Sequence, residues 1–270
     1  MPAPSVPATV PPAPPVDPAL LSRALEIAGR LANDAAEVIT ATLGRSAGEY
    51  PFDWITQTDR TLERHTRRVL AAEFGAVPVV GRVPDAAEPC PYRWVVGGPG
   101  DTRCGTANHV SGFGWCAFGI ALVDAAGPVV GVIADPGRAQ IYAAARGRGM
   151  RANGVVVRPA ERESPGGPVC CEVAGPAAPG LLRAAGPRAR VVGSAALAIT
   201  QVALGHAAAA VVDTHRESDV AAALCLAGES GAEVTDADGR PDPLPSGPLV
   251  VARPAALDTV LGWWRAAVAT

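Results

Sequence analysis

Apolar residues recur at helical spacing through Leu20, Leu21, Ala24, Ile27, Leu31, Ala35 and Val38, and Asp17-Pro18 stands before them at cap and first-turn positions. The pattern predicts a helix from there to near Gly44. A second helix is predicted from about Thr61 to Phe74, with Leu62, Val69 and Leu70 inward and Arg64, Arg67 and Arg68 on a solvated face. Short apolar runs bounded by turn residues then predict strands at Val77 to Val80, Arg93 to Val96, Trp115 to Val123 and Pro128 to Ala134. The last two are joined by Asp124-Ala125-Ala126-Gly127, a hairpin turn.

Beyond residue 168 the pattern alternates. Strands are predicted at Val169 to Val173, Arg190 to Val192, Ala208 to Asp213, Ala232 to Asp236 and Pro248 to Ala252. Between them, helices are predicted at Pro179 to Ala185, Ala195 to Gly205, Ser218 to Gly231 and Pro254 to Val268. This alternation implies an α/β protein in which a mixed sheet is covered by helices. Glu161 to Pro168 reads as a connection, so one domain over residues 17–270 is expected, with halves at about 17–160 and 168–270. The Pro- and Ala-rich stretch 1–16 reads as a disordered tail.

Composition narrows the function more than the fold. A chain of 270 residues with 49% hydrophobic residues can bury a large core, and a formal charge of −3 argues against a nucleic-acid surface. All 23 cationic residues are arginine, which fits a GC-rich coding sequence and carries little chemistry by itself. The 6 cysteines form neither a C-x-x-C pair nor a regular framework, so a reducing, cytoplasmic setting is expected. No apolar run approaches the roughly 20 residues of a membrane span, and no membrane association is expected.

Several segments share an order with one known family. Asp53-Trp54-Ile55-Thr56-Gln57-Thr58-Asp59, with Glu63 one turn later, resembles D-x-V-T-x-x-D. Gly131-Val132-Ile133-Ala134-Asp135-Pro136 resembles G-V-I-x-D-P, and the stretch from Ile141 to Gly154 resembles a glycine-rich hairpin, with Met150 in place of the usual Ala. Gly193-Ser194-Ala195-Ala196-Leu197 is similar to G-S-A-A-L, and Ser218-Asp219-Val220-Ala221-Ala222 to W-D-x-A-A with the Trp lost. Together these resemble the inositol monophosphatase family from about Ala19 to the C-terminus. The resemblance implies a layered α-β-α-β-α sandwich, a site between its halves, catalytic magnesium and a homodimer.

Against that expectation, the metal motif is altered. The family's W-V-x-D-P-[IL]-D-G-[ST] carries two magnesium-binding aspartates. Here the segment reads Arg93-Trp94-Val95-Val96-Gly97-Gly98-Pro99-Gly100-Asp101-Thr102, with Gly97 and Gly100 at those positions in the ungapped register. A one-residue shift would restore Asp101 as a ligand and Thr102 as a water-orienting hydroxyl. The family's G-E-E stands here as Gly81-Arg82-Val83, placing a cation where a ligating carboxylate is expected. The metal set implied by the resemblance is thus Asp59, Asp101 and Asp219, and local charge falls from about −5 to about −2, too little to hold two divalent ions well. No cofactor is expected beyond magnesium in a residual phosphatase.

Other candidate residues are read alongside. Gly193, Ser194 and Ala195 enter a helix, where backbone N–H groups can bind an anion or hydroxyl. Asp213, His215 and Glu217 lie near Asp219 and are candidates for substrate contact, with Arg82 pairing an anionic group. Cys104 and His109 occupy a lengthened loop, Arg103 to Gly114, with Asn108 and close to Asp101; with Asp101, Thr102 and Asp219 they are the catalytic candidates, the thiol being one that a histidine could activate. Vicinal Cys170-Cys171 lies in an apolar strand and reads as buried. Three functions follow: a repurposed metal-independent enzyme acting on a small polar metabolite within specialised biosynthesis, a non-catalytic ligand-binding protein, and a residual magnesium-dependent phosphatase on a sugar or inositol phosphate.

Overall fold

The computed structural model describes residues 15–45, 56–75, 77–81, 90–99, 103–159 and 166–269; the side chains of residues 103 and 104 lie outside this description. Helix α1 (Pro18–Thr42) starts where expected: Asp17 Oδ1 accepts the Ala19 N–H at 2.9 Å and Pro18 occupies the first turn. Val16, the last residue of the expected tail, already packs against the core beneath α1, while residues 1–14 lie outside the described set. Helix α2 (Gln57–Phe74) begins four residues earlier than the apolar spacing suggests. Thr56 is its cap, and Asp59 lies inside the first turn.

Strands β1 (Val79–Val80), β2 (Arg93–Gly97), β3 (Phe118–Asp124), β4 (Gly127–Asp135), β5 (Gln140–Ala145), β6 (Met150–Ala152) and β7 (Val155–Val157) form one sheet in chain order. It is antiparallel except for the β1–β2 pair. Alternation along β3 splits its side chains between two cores. Phe118, Ile120 and Leu122 meet α1 and α2, whereas Ala121 and Val123 point the other way. The stretch expected as a lengthened loop is instead helix α3 (Arg103–Val110), inserted between β2 and β3.

A second sheet has the order β11–β12–β10–β8–β9, built from β8 (Val169–Glu172), β9 (Ala189–Arg190), β10 (Ala209–Val212), β11 (Glu233–Asp236) and β12 (Leu249–Ala252). Helices α5 (Ala195–Ala203) and α6 (Glu217–Glu229) fill the layer between the sheets, with Leu197, Val202, Leu224 and Leu226 fully buried. Helices α4 (Ala177–Ala185) and α7 (Leu257–Val268) cover the outer face of the second sheet through Leu181, Val260 and Trp264. The architecture is the expected α-β-α-β-α sandwich.

Glycine sets how closely α6 approaches the first sheet. A Cβ at Gly131 would lie 2.3 Å from the Ala222 carbonyl and 2.5 Å from the Cys225 Cβ, and one at Gly119 would meet Ala222 at 3.5 Å. Larger residues would push α6 outward, and α6 carries Asp219 at its start. Among the described residues no helix is long and apolar enough to cross a membrane.

Candidate functional site

The C-terminal end of β2, the N-terminal end of β3 and the first turns of α2, α5 and α6 meet at one end of the first sheet. Gly97 closes β2 opposite Gly119 of β3. A cavity of about 20 Å³ lies there, lined by Gly97, Gly98, Pro99, Gly119, Ser194 and Asp219 together with Ala195 and neighbouring small residues. The described residues alone bound room for about one water there, and residues 100–102, which follow Pro99 in the chain, lie outside the described set. A larger hollow of about 520 Å³ lies between α1 and α2, where His65 of α2 meets Asp34 of α1 at 3.0 Å and Arg68 meets His65 along α2 at 3.2 Å. It belongs to the outer helical layer, away from the sheet end.

Two carboxylates converge on this end, and both reach back from the first turn of a helix to the backbone of its cap residue. Asp59 is 4% exposed; its Oδ2 accepts the Thr56 N–H at 2.9 Å and the Thr56 hydroxyl at 2.7 Å, closing a capping box on α2. Its Oδ1 is pressed toward β2, because a Cβ at Gly98 would come within 2.6 Å of that oxygen. A side chain at residue 98 therefore has no room while Asp59 is seated this way. Asp219 is 6% exposed, and its Oδ2 accepts the Arg216 N–H at 2.8 Å at the start of α6. Both carboxylates stand at the positive end of a helix dipole.

The other candidates are distributed differently from the sequence expectation. Ser194 caps α5 through the Leu197 N–H at 3.3 Å and lines the cavity beside Ala195. Gly193 does not offer an open N–H. The Glu172 carboxylate accepts it at 3.0 Å and the Val192 N–H at 2.8 Å, so an internal anion fills part of the expected anion site. His109 is fully buried and faces α1 instead of the cavity. Thr42 Oγ1 donates to the Val38 carbonyl at 2.8 Å and so accepts from His109 Nε2 at 3.0 Å, while the His109 carbonyl accepts the Gly44 N–H at 2.9 Å. Burial lowers the His109 pKa, and the Asp59 charge and the Ile39 carbonyl only partly oppose this.

Asp213, Glu217 and His215 also have structural partners outside the cavity lining. Asp213 Oδ2 accepts the Ala174 N–H at 2.6 Å, Glu217 Oε1 accepts from Arg93 Nη2 at 2.5 Å, and His215 Nε2 donates to the Pro245 carbonyl at 2.9 Å. Arg82, Asp101 and Thr102, and the side chain of Cys104, lie outside the described residues. Cys170 and Cys171 are buried as expected, with thiols pushed up by burial to about 12 and about 11.

Three residues that the pattern of the chain left unassigned shape this end. Asp135 is fully buried at the end of β4, and Arg138 donates to it at 2.8 Å while stacking 3.8 Å from the Trp115 ring centroid. Burial raises the Asp135 pKa despite the Arg138 charge. Cys116 is buried too, and burial, with Asp135 and Asp59 nearby, drives its thiol up to about 12, so it is no nucleophile. Glu172 is the third. The only hint of it in the sequence is an acid closing an otherwise apolar strand, Val169-Cys170-Cys171-Glu172.

The magnesium that the family motif implies can be tested on this donor set. Among the described residues no group of three His, Cys, Asp or Glu side chains stands close enough to hold a metal ion. Asp59 and Asp219 each spend one oxygen on a capping bond, and the described residues at the end of β2 are Gly97, Gly98 and Pro99. This described set does not fit a paired-ion centre, which needs several ligating carboxylates around two ions.

Comparison with known proteins agrees with the fold. The chain is 30% identical to the inositol-1-monophosphatase of Rhizobium meliloti over 220 residues, covering 74% of this chain and 78% of that protein. It is 28% identical over 150 residues to a fructose-1,6-bisphosphatase/inositol-1-monophosphatase of Aquifex aeolicus, where the match spans 55% of the relative's length and 53% of this chain. A solved IMPase of Thermotoga maritima superposes with a TM-score of 0.81 at 22% identity, over 91% of this chain and 98% of that one. The sequence profile of the inositol monophosphatase family matches residues 19–264, and the chain belongs to that family.

Proposed function

We propose that this protein is a divergent family member whose cleft binds a small polar metabolite without the paired magnesium centre, and that phosphate-ester hydrolysis is not its main activity. The observation that carries the reading is the packing of Asp59 on Gly98. At the strand end where the family supplies metal ligands, this chain has Gly97 at the first ligand position of the ungapped register, and an Asp59 oxygen occupies the space beside the next residue, Gly98. About two negative charges in place of about five leave little attraction for a pair of divalent ions. A thiolate mechanism gains no support from Cys116, whose thiol sits near 12, nor does His109 serve as a base while it is buried against α1.

A polar ligand would meet Ser194, Asp219 and the backbone of Gly97 to Pro99. The test is phosphate release from inositol 1-phosphate with magnesium present. The expected result is a rate near background that EDTA does not change. Rapid, EDTA-sensitive release would replace this reading with a one- or two-ion phosphatase built on Asp59, Asp101 and Asp219.

A further inference from the structure

Immediately before Ser194 and Ala195, which line the cavity at the start of α5, the turn Val192–Gly193 is clamped from two sides. On one side Glu172, at the end of β8, accepts both of its N–H groups, Oε1 from Val192 at 2.8 Å and Oε2 from Gly193 at 3.0 Å. On the other side Asn108 of α3 donates its amide to the Val192 carbonyl at 3.0 Å and to the Trp115 carbonyl at 2.8 Å. Gly193 adopts φ +74°, a left-handed conformation that costs other residues free energy, and Ser194 follows as the cap of α5 and part of the cavity wall. Successive N–H groups turned to one point in this way form an anion-binding nest.

We propose that Glu172 is a built-in anion that holds this nest shut and so determines the ligand class of the cleft. With the carboxylate in place, the α5 wall offers a bound anion no N–H from Val192 or Gly193, and its local charge is negative. The cleft therefore accepts a hydroxyl or a protonated amine against this wall and rejects phosphate there. This inference rests on the reading of the cleft as a binding site and adds the chemistry of the group it selects.

The charged and titratable groups around Glu172 are few. Cys170 and Cys171 precede it on β8, Arg190 stands on β9, and Asp213 follows β10, its own N–H donating to the Glu172 carbonyl at 3.3 Å. Burial raises the Glu172 pKa, while the two N–H donors lower it. Burial keeps both cysteine thiols protonated through the acid range. The other acid, Asp213, bonds to a different amide, Ala174.

The experiment uses the intact chain, amide-resolved NMR and inorganic phosphate as probe. In wild type, the Val192 and Gly193 amides should titrate together with a midpoint above the ordinary glutamate range, and 20-fold excess phosphate at neutral pH should leave them unmoved. Glu172→Gln should abolish the shared titration while the remaining spectrum reports an intact fold. Glu172→Ala should let phosphate shift Gly193 and Ser194 by at least threefold more than in wild type. Wild-type amides that move with phosphate, or a Glu172→Ala variant that is folded and still indifferent to it, would overturn the proposal. Magnesium-dependent hydrolysis would defeat the binding-site reading but leave the amide titration standing, so the two failures are separable.

Discussion

At the residue scale, stability rests on a few polar groups buried with partners. Arg146 donates to Asp124 Oδ2 at 2.7 Å and Oδ1 at 2.8 Å, and also to the Gly127 carbonyl at 3.0 Å, clamping the β3–β4 turn. Burial alone would raise the Asp124 pKa, but the Arg146 bonds and charge with the Ala126 N–H hold it below the usual value. A carboxyl depressed on folding stabilises above its unfolded pKa and loses that contribution as pH falls through the folded one. Asp124→Asn should therefore cost about 3 kcal/mol at pH 7, and the deficit should shrink below about pH 4, as chemical denaturation at both pH values would reveal. His109 has the opposite charge type. Its lowered pKa means the folded state resists protonation, so stability is full above about pH 6.5 and falls below it. His109→Gln should flatten the loss of melting temperature between pH 7 and pH 5.5.

At the element scale, much was legible because the apolar periods are regular, and the misses have identifiable causes. The helix expected from Thr61 starts at Gln57 because Thr56 is the cap and Asp59 is its box partner in the first turn, a polar arrangement that apolar spacing does not register. Residues 103–110 read as loop because Arg-Cys-Gly-Thr-Ala-Asn-His-Val has no amphipathic period; tertiary bonds from Asn108 and His109 hold it helical. Asp59 and Asp219 were legible as candidates and do reach one sheet end, whereas His215 and Glu217 turn away to Pro245 and Arg93, partners 30 and 124 residues distant that no local pattern encodes. Seating of α6 depends on Gly131. Gly131→Ala should destabilise by about 3 kcal/mol through overpacking against Ala222 and Cys225, with thermal melting as the check. Because α6 carries Asp219, the same change should also weaken any ligand held there.

For the whole molecule, the five layers bring three helix starts and the end of β2 to one place, which is how a chain so altered in its metal motif keeps a recognisable cleft. Among the described residues, polar chemistry stands at the helix starts, where the fold itself requires it, and the end of β2 carries Gly97, Gly98 and Pro99. The account stands on the claim that this end does not assemble paired magnesium. The most direct measurement is calorimetric titration of magnesium into the intact protein, with Gly97→Asp alongside. Wild type should show no saturable site tighter than the millimolar range, and Gly97→Asp, which returns a carboxylate to the end of β2, should bind magnesium at least tenfold more tightly. A stoichiometric micromolar site in wild type would contradict the account.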